Sequence, residues 1–296
     1  MITHLGQRAI TSDVPPYFVA ELGPNFVVSR GRADNTACLI RMIDEAAGAG
    51  ADCVKLQLKA LDGFYRNDDL ARPPHDPARS PFTLRGEYVL AREPDDDMLE
   101  LVDARCARLG IHWTASVWDA ESVEVLRRWN RPWVKVASAC VSDLALLERV
   151  RSLGIPVVMS TGMSTIEEVD RAVMALGQDR LVLAHCTAAY PCAIENLNLG
   201  VMRTLRDRYH VPVGWSSHST VPDAAGWATS MGARWIEYHL TLDRGAWGPD
   251  HSSSVEPAEF GRAVHASREA HAAIGAADKT VLDIEQSARA RLRRVG

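Results

Sequence analysis

The sequence predicts a (β/α)8 TIM barrel, an α/β fold in which eight parallel strands are ringed by helices. Two observations carry the prediction. Eight short, apolar, β-branched runs recur along the 296 residues, and stretches of helical period lie between them. The runs are apolar enough to be covered on both faces, as strands enclosed by helices must be. A doubly wound sheet is the competing arrangement.

In chain order the runs are YFVAEL at 17–22, CVKLQL at 53–58, IHWTAS at 111–116, WVKVAS at 133–138, PVVMST at 156–161, LVLAHC at 181–186, PVGWSS at 212–217 and WIEYHL at 235–240. NTACLIRMIDEAAGAG after the first run, DDDMLELVDARCARLG before the third and SDLALLERVRSLG after the fourth have helical spacing, and each ends on a glycine suited to a left-handed helix stop. Ser164-Thr165-Ile166-Glu167 has the S-x-x-E spacing of a capping box, which starts a helix after the fifth run. One crossover helix and two short loops fill most intervals. Residues 59–94, rich in Asp, Arg and Pro, exceed an ordinary βα loop and are expected to form an active-site lid or an excursion. Residues 278–296 are expected to form a tail, a short strand or turn followed by a basic helix. No repeat or low-complexity linker divides the chain, so residues 1–296 are expected to form one barrel domain.

Composition removes several function classes. Lys and Arg total 33 against 38 Asp and Glu, a net charge of −5, so no global positive field exists to hold a nucleic acid or an anionic membrane. The opening MITHLGQRAI lacks the basic-then-apolar layout of a signal peptide, and no run approaches the roughly 20 apolar residues of a membrane span. A cytoplasmic location is expected. The six cysteines are scattered without a CxxC pair, which speaks against a disulfide framework or a thiolate zinc site.

Polar residues fall at the C-terminal ends of the strands, where barrel enzymes place their chemistry: Glu21, Lys55, Gln57, Ser116, Lys135, Ser138, Ser160, Thr161, His185, Ser216, His218 and His239. Lys55 and Lys135 with the hydroxyls of Ser138, Ser160 and Thr161 suit an anion carrying both carboxylate and phosphate. The plain alternative pairs each lysine with a neighbouring acid. His218 and His239 end adjacent strands and can converge on one divalent metal, with waters and Glu21 completing its shell. Asp250, in the turn-rich GAWGPDH after the last strand, sits where it can accept hydrogen bonds from a hydroxyl-rich substrate, or where it simply belongs to a turn.

These residues stand within ordered motifs: AELGPN (20–25), GADCVKLQ (50–57), WVKVAS (133–138), VVMSTGMSTIEEV (157–169), AHCTAAYP (184–191), VPVGWSSHS (211–219), IEYHLTLD (236–243) and GPDHSSSVEPAEF (248–260). In this order they resemble the sialic acid synthase (N-acetylneuraminate synthase) family, which condenses phosphoenolpyruvate with an amino-sugar aldehyde. The resemblance implies that Lys55, Lys135, Ser138 and Ser160 hold phosphoenolpyruvate with Ser116 and Ser216 beside it. It implies that His218 and His239 bind manganese or magnesium, that Glu21 is a catalytic carboxylate, that Tyr190 lines the acceptor region and that Asp250 contacts the acceptor sugar. It implies, too, that Lys55, Lys135 and His239 share the catalysis with Glu21. A homodimer is implied as well.

The sequence also departs from the family. Asn25-Phe26 replaces N-H, Cys140 replaces the glutamate of S-G-E, Ala188-Ala189 replaces the asparagine before the tyrosine, and Ser217 replaces the aspartate of S-D-H. The family's C-terminal antifreeze-like domain, with its arginine, has no counterpart in these 296 residues. Lost acceptor contacts beside retained donor and metal contacts predict an acceptor other than N-acetylmannosamine. Two rivals remain, a non-catalytic barrel that binds phosphoenolpyruvate or sugar phosphate, and a Schiff-base aldolase using Lys55 or Lys135.

Overall fold

The computed structural model describes residues 2–60 and 65–295, so residues 61–64 of the expected lid lie outside the described residues. A short antiparallel hairpin, β1 (His4–Leu5) and β2 (Arg8–Ala9), precedes the eight strands. These are β3 (Tyr17–Glu21), β4 (Cys53–Leu58), β5 (His112–Val117), β6 (Val134–Val136), β7 (Val157–Ser160), β8 (Leu181–Cys186), β9 (Val213–Ser217) and β10 (Trp235–His239). All pair in parallel, and β10 bonds back to β3 to close the barrel. Each lies within one of the eight apolar runs, except that β5 runs one residue past its own.

Alternation divides each strand between two cores. Phe18, Ala20, Val54, Leu56, Trp113, Ala115, Val134, Val136, Leu181, Leu183, Ile236 and Tyr238 face outward into the large core beneath the helices. Tyr17, Val19, Cys53, Trp133, Val158, Val182, Ala184 and Trp235 form a second cluster with Leu5 and Ile10 of the hairpin region. This second cluster fills the lower barrel, with the hairpin as its plug. Trp133 meets Tyr17 and Trp235 edge to face, each at 6.1 Å between ring centroids. Gly214 makes room for Trp235: a Cβ there would stand 2.6 Å from the Trp235 carbonyl oxygen and 3.0 Å from its side chain.

The helices follow local signals. In α1 (Arg32–Gly48), Leu39, Met42, Ile43 and Ala46 form the buried stripe. The long connection from β4 to β5 carries α2 (Asn67–Leu70) and α3 (Arg85–Arg92) before the crossover helix α4 (Asp96–Leu109), which Asp95 caps at Met98 N–H and Gly110 ends at φ +69°. Asp119 and Asp143 cap α5 (Ala120–Trp129) and α6 (Leu144–Ser152) in the same way. The capping box of α7 (Ile166–Leu176) lies one residue later than the sequence suggests: Thr165 and Glu168, not Ser164 and Glu167, exchange the two bonds. Either pair satisfies the spacing, and the end of β7 sets the phase. The remaining crossovers are α8 (Val201–Tyr209), α9 (Ala224–Ser230) and α10 (Pro257–Ile274), and the tail forms a 3-10 turn at Asp283–Glu285 and then α11 (Gln286–Leu292). No described helix is long and apolar enough to cross a membrane.

Candidate active site

The inward positions that are apolar in the lower barrel turn polar two residues further along. Val19 is followed by Glu21, Cys53 by Lys55, Trp133 by Lys135, Val158 by Ser160 and Trp235 by Glu237. A cavity of about 230 Å³ opens above this level. Its lining includes Glu21, Lys55, Gln57, Ser116, Lys135, Ser138, Ser160, Tyr190, Ser216, His218, His239 and Asp250, so all the residues singled out from the sequence except Thr161 and His185 meet in one place.

At the floor, two lysines and two glutamates form a buried, formally neutral quartet. Lys135 Nζ donates to both carboxylate oxygens of Glu237 at 3.0 and 3.2 Å, and Lys55 Nζ lies 3.6 Å from Glu237 and pairs closely with Glu21. Ser216 Oγ donates to Glu237 at 2.9 Å and Gln57 Nε2 to Glu21 at 2.9 Å. Burial works against the Glu237 charge, but the ammonium groups of Lys135 and Lys55 outweigh it and hold this carboxyl below its ordinary range. Burial likewise pulls Lys55 down, and the charges of Glu21 and Glu237 outweigh it, so the net shift is upward. For Lys135 burial wins over Glu237 and the shift is downward, helped by the like charge of Lys55. Its ammonium also lies 4.5 Å from the centre of the Trp235 ring. Each lysine therefore does pair with acids, as the plain alternative has it.

Glu237 is the residue that strand-end polarity missed. The signal was present in the E-x-H of IEYHLTLD: two residues before His239 on one strand places Glu237 on the same inward face, one level deeper.

The hydroxyls differ in commitment. Ser138 Oγ accepts Gly162 N–H at 3.0 Å, whereas Ser160 Oγ is buried without a protein partner. Ser116 Oγ reaches only the Leu56 carbonyl, at 3.4 Å. Two expected members fall away. Thr161 spends its hydroxyl on the Ala184 carbonyl at 3.3 Å, and His185 faces outward, its Nε2 2.8 Å from the Leu197 carbonyl, because an odd step along a strand reverses the face.

His218 and His239 lie with ring centroids 5.3 Å apart. His218 Nδ1 is 2.9 Å from the Thr187 carbonyl, which can only accept, so Nδ1 holds the proton and Nε2 keeps its lone pair. Burial first, then His239, lowers His218 to about 3, so it is neutral at physiological pH as a metal ligand must be. His239 Nδ1 is buried without a hydrogen bond, 3.5 Å from Asp250 Oδ2. Two imidazoles with uncommitted nitrogens suit a divalent ion of borderline softness. Glu21, suggested with waters for the rest of the shell, is engaged by Lys55 and Gln57. Among the described residues no set of three His, Cys, Asp or Glu side chains gathers to hold a metal unaided, so water or substrate must complete any shell at this pair.

Toward the mouth, Tyr190 stacks on His218 at 3.9 Å between centroids. Gly23, at φ +46°, lets the chain turn where Glu21, Asp250 and Gln57 converge: a Cβ there would meet all three at 3.1–3.3 Å. Three positions that differ from the family, Phe26, Cys140 and Ser217, lie off the cavity lining. Phe26 packs in the outer core, Asn25 donates to the Leu240 carbonyl and to Ser254, and Ser217 accepts Ser219 N–H. Cys140 is buried beneath the Ser138–Cys140 turn, and burial pushes its thiol up to about 11, so it is neutral. The 59–94 segment, by contrast, sends Lys59 and Arg92 into the lining.

Comparison with known proteins agrees with this architecture. The NeuB family model matches residues 42–279. The chain is 32% identical over 289 residues to human N-acetylneuraminate-9-phosphate synthase, covering 96% of this chain and 78% of that protein. It is 30% identical to the N,N'-diacetyllegionaminic acid synthase of Legionella pneumophila over 86% of this chain and 73% of that one. A crystal structure of N-acetylneuraminic acid synthetase from Leptospira borgpetersenii, in complex with citrate, superposes with a TM-score of 0.81 at 27% identity, covering 96% and 94% of the two chains. The chain therefore belongs to the NeuB family, whose phosphoenolpyruvate-dependent synthases form carbon–carbon bonds.

Proposed function

We propose that this barrel condenses phosphoenolpyruvate with a sugar aldehyde other than N-acetylmannosamine, yielding a 2-keto-3-deoxy acid and phosphate. The observation that carries the reading is the stacking of two layers in one cavity: a buried Lys–Glu quartet with serine hydroxyls, and above it two imidazoles with uncommitted nitrogens.

Lys135, Ser138 and Ser160 would receive the phosphate, and Lys55, Ser116 and Ser216 the carboxylate. Phosphoenolpyruvate brings more negative charge than the neutral quartet can match, so its oxygens displace Glu21 and Glu237 from the ammonium groups and engage the hydroxyls. Ser160, with no protein partner, is already available to donate. A manganese or magnesium ion held by His218 and His239 would supply Lewis-acid polarisation of the aldehyde oxygen. Asp250 and Tyr190 orient the sugar between that pair and the mouth. In the chemistry, C3 of phosphoenolpyruvate bonds to the aldehyde carbon, whose oxygen gains a proton. Water adds at C2; Glu21 takes one of its protons, which ends on the oxygen of the former aldehyde, and the other proton leaves with the phosphate. The C2–O bond to phosphate then breaks, phosphate departs, and a keto group remains at C2.

Incubation with phosphoenolpyruvate, manganese and a panel of sugar aldehydes, followed by assay of inorganic phosphate, tests this. Release that requires both metal and aldehyde is expected. No release with any aldehyde, together with no metal-dependent phosphoenolpyruvate binding, would overturn it. The lowered proton affinity of Lys135 is what a Schiff-base aldolase would need. Borohydride trapping with a keto acid separates the two: no adduct at Lys135 or Lys55 is expected, because both amines are held by carboxylates.

A further inference from the structure

The mouth of the cavity carries a second group of cations that the donor chemistry does not use. Lys59 follows β4 directly, Arg92 ends α3, and both line the cavity alongside Trp118 and Asp250. The setting of Arg92 differs from that of the floor lysines. Each floor ammonium lies on a carboxylate at short range, and the quartet is balanced. At the mouth, Arg92 Nε reaches Glu93 only at 3.4 Å, and its Nη2 is buried without a hydrogen-bond partner. The side chain of Arg92 is 14% exposed, so solvent solvates it poorly. Tyr65 and Tyr88 present ring faces to it at 5.4 and 5.9 Å, contacts that position a guanidinium without using its donors. Glu93 is also drawn away, since it accepts the Lys59 backbone N–H at 3.1 Å.

Lys59 Nζ stands 3.6 Å over the Trp118 ring. Burial and the Arg92 charge together lower it to about 7, against the pull of Glu93 and Asp250, while the neighbouring Cys140 is a neutral thiol. Two cations thus share one wall, and the charge of each disfavours the other. A guanidinium with an unused buried donor beside an ammonium is a recognition pattern for a planar or tetrahedral oxyanion.

We infer that Lys59 and Arg92 form an oxyanion subsite for the acceptor, so that the sugar aldehyde this barrel prefers carries a phosphate or carboxylate group away from its reacting carbon. The inference rests on the condensation proposed above, because it assigns the deep lysines to the donor and leaves the mouth to the acceptor. The subsite belongs to the 59–94 excursion, so the segment that looked like a lid from its length alone also supplies specificity. Phosphate and carboxylate share this chemistry, and matched acceptors separate them.

The test is calorimetric binding of three acceptors to the full chain with phosphoenolpyruvate omitted, so that no turnover occurs: a neutral N-acetylhexosamine, its 6-phosphate, and the corresponding uronate; phosphoenolpyruvate is titrated separately. At least one anionic sugar is expected to bind about 10-fold or more tightly than the neutral one, with the phosphate favoured if both cations engage it. Arg92→Gln and Lys59→Met are each expected to shrink that preference by about 10-fold, while phosphoenolpyruvate affinity changes less than about 2-fold. Arg92→Lys, which keeps the charge and loses the fork, is expected to recover part of it. Equal binding of all three sugars, or variants that weaken the neutral sugar or phosphoenolpyruvate as much as the charged one, would overturn the subsite. Failure of the condensation itself looks different: phosphoenolpyruvate would not bind, while the preference among sugars could still be measured.

Discussion

The two levels of the barrel interior are built from the same strands and the same inward face, yet they do opposite things. At the lower level Tyr17, Cys53, Trp133, Val158 and Trp235 interlock with the hairpin residues Leu5 and Ile10, and nearly every surface is apolar. One step up, at Lys55, Lys135, Ser160 and Glu237, the side chains are as deeply buried but carry charge or unpaired hydrogen-bonding groups. Two residues along a strand move a side chain about 7 Å toward the mouth without changing the face it occupies. The lower level lowers the free energy of the fold; the upper level buries charge that packing alone does not need, and the proposed condensation assigns the chemistry to it.

The largest effect that can break this contrast is expected at Lys135. Lys135→Met leaves Glu237 buried with Lys55 at 3.6 Å as its remaining ammonium, which should cost about 3–5 kcal/mol in chemical denaturation. Phosphate release should fall by a factor on the order of 1,000. The double variant Lys135→Met/Glu237→Leu should recover most of that stability and none of the activity, because an apolar pair restores packing alone. If the double variant stayed as unstable as the single one, the upper level would be stabilising after all.

At the lower level, Trp235→Ala removes a fully buried ring that packs against Gly214 and Trp133, and about 3–5 kcal/mol should be lost. Here the midpoint of denaturation is the readout. The Michaelis constant for phosphoenolpyruvate, measured on the folded fraction, should move little if the two levels are independent. Large changes in that constant would show that packing below tunes the floor above.

The smallest expected change is the sharpest discriminator. Ser160→Ala deletes a buried hydroxyl that has no protein partner, so stability should stay level or rise by about 0.5–1 kcal/mol. The Michaelis constant for phosphoenolpyruvate should rise about 10-fold. A loss of stability on this substitution would mean that the hydroxyl is satisfied within the protein and is not held for substrate.

Much of this was legible in the chain. The eight runs place the eight strands, and Asp95 and Gly110 mark where α4 starts and stops, because capping and periodicity act over a few residues. The polar strand ends named the cavity, because the direction of a parallel strand fixes which end its last residue occupies. Errors arose where one step of register mattered. Strand-end polarity groups His185 with the site, yet its ring faces outward; it counts Thr161 as a donor, yet a carbonyl takes that hydroxyl; and the S-x-x-E spacing points to Ser164, whereas Thr165 forms the cap.

What the sequence determined by itself, then, was the barrel, the identity of the strand-end groups and the family resemblance, all of which depend on order and spacing along one chain. The tertiary structure alone decided which charges neutralise one another. Lys135 and Glu237 are 102 residues apart, and Lys55 meets Glu21 only because β3 and β4 pair in register. It likewise decided that Glu21 pairs with Lys55, and that Lys59 and Arg92 line the cavity. Coulomb energies fall with distance in space, and barrel closure sets those distances.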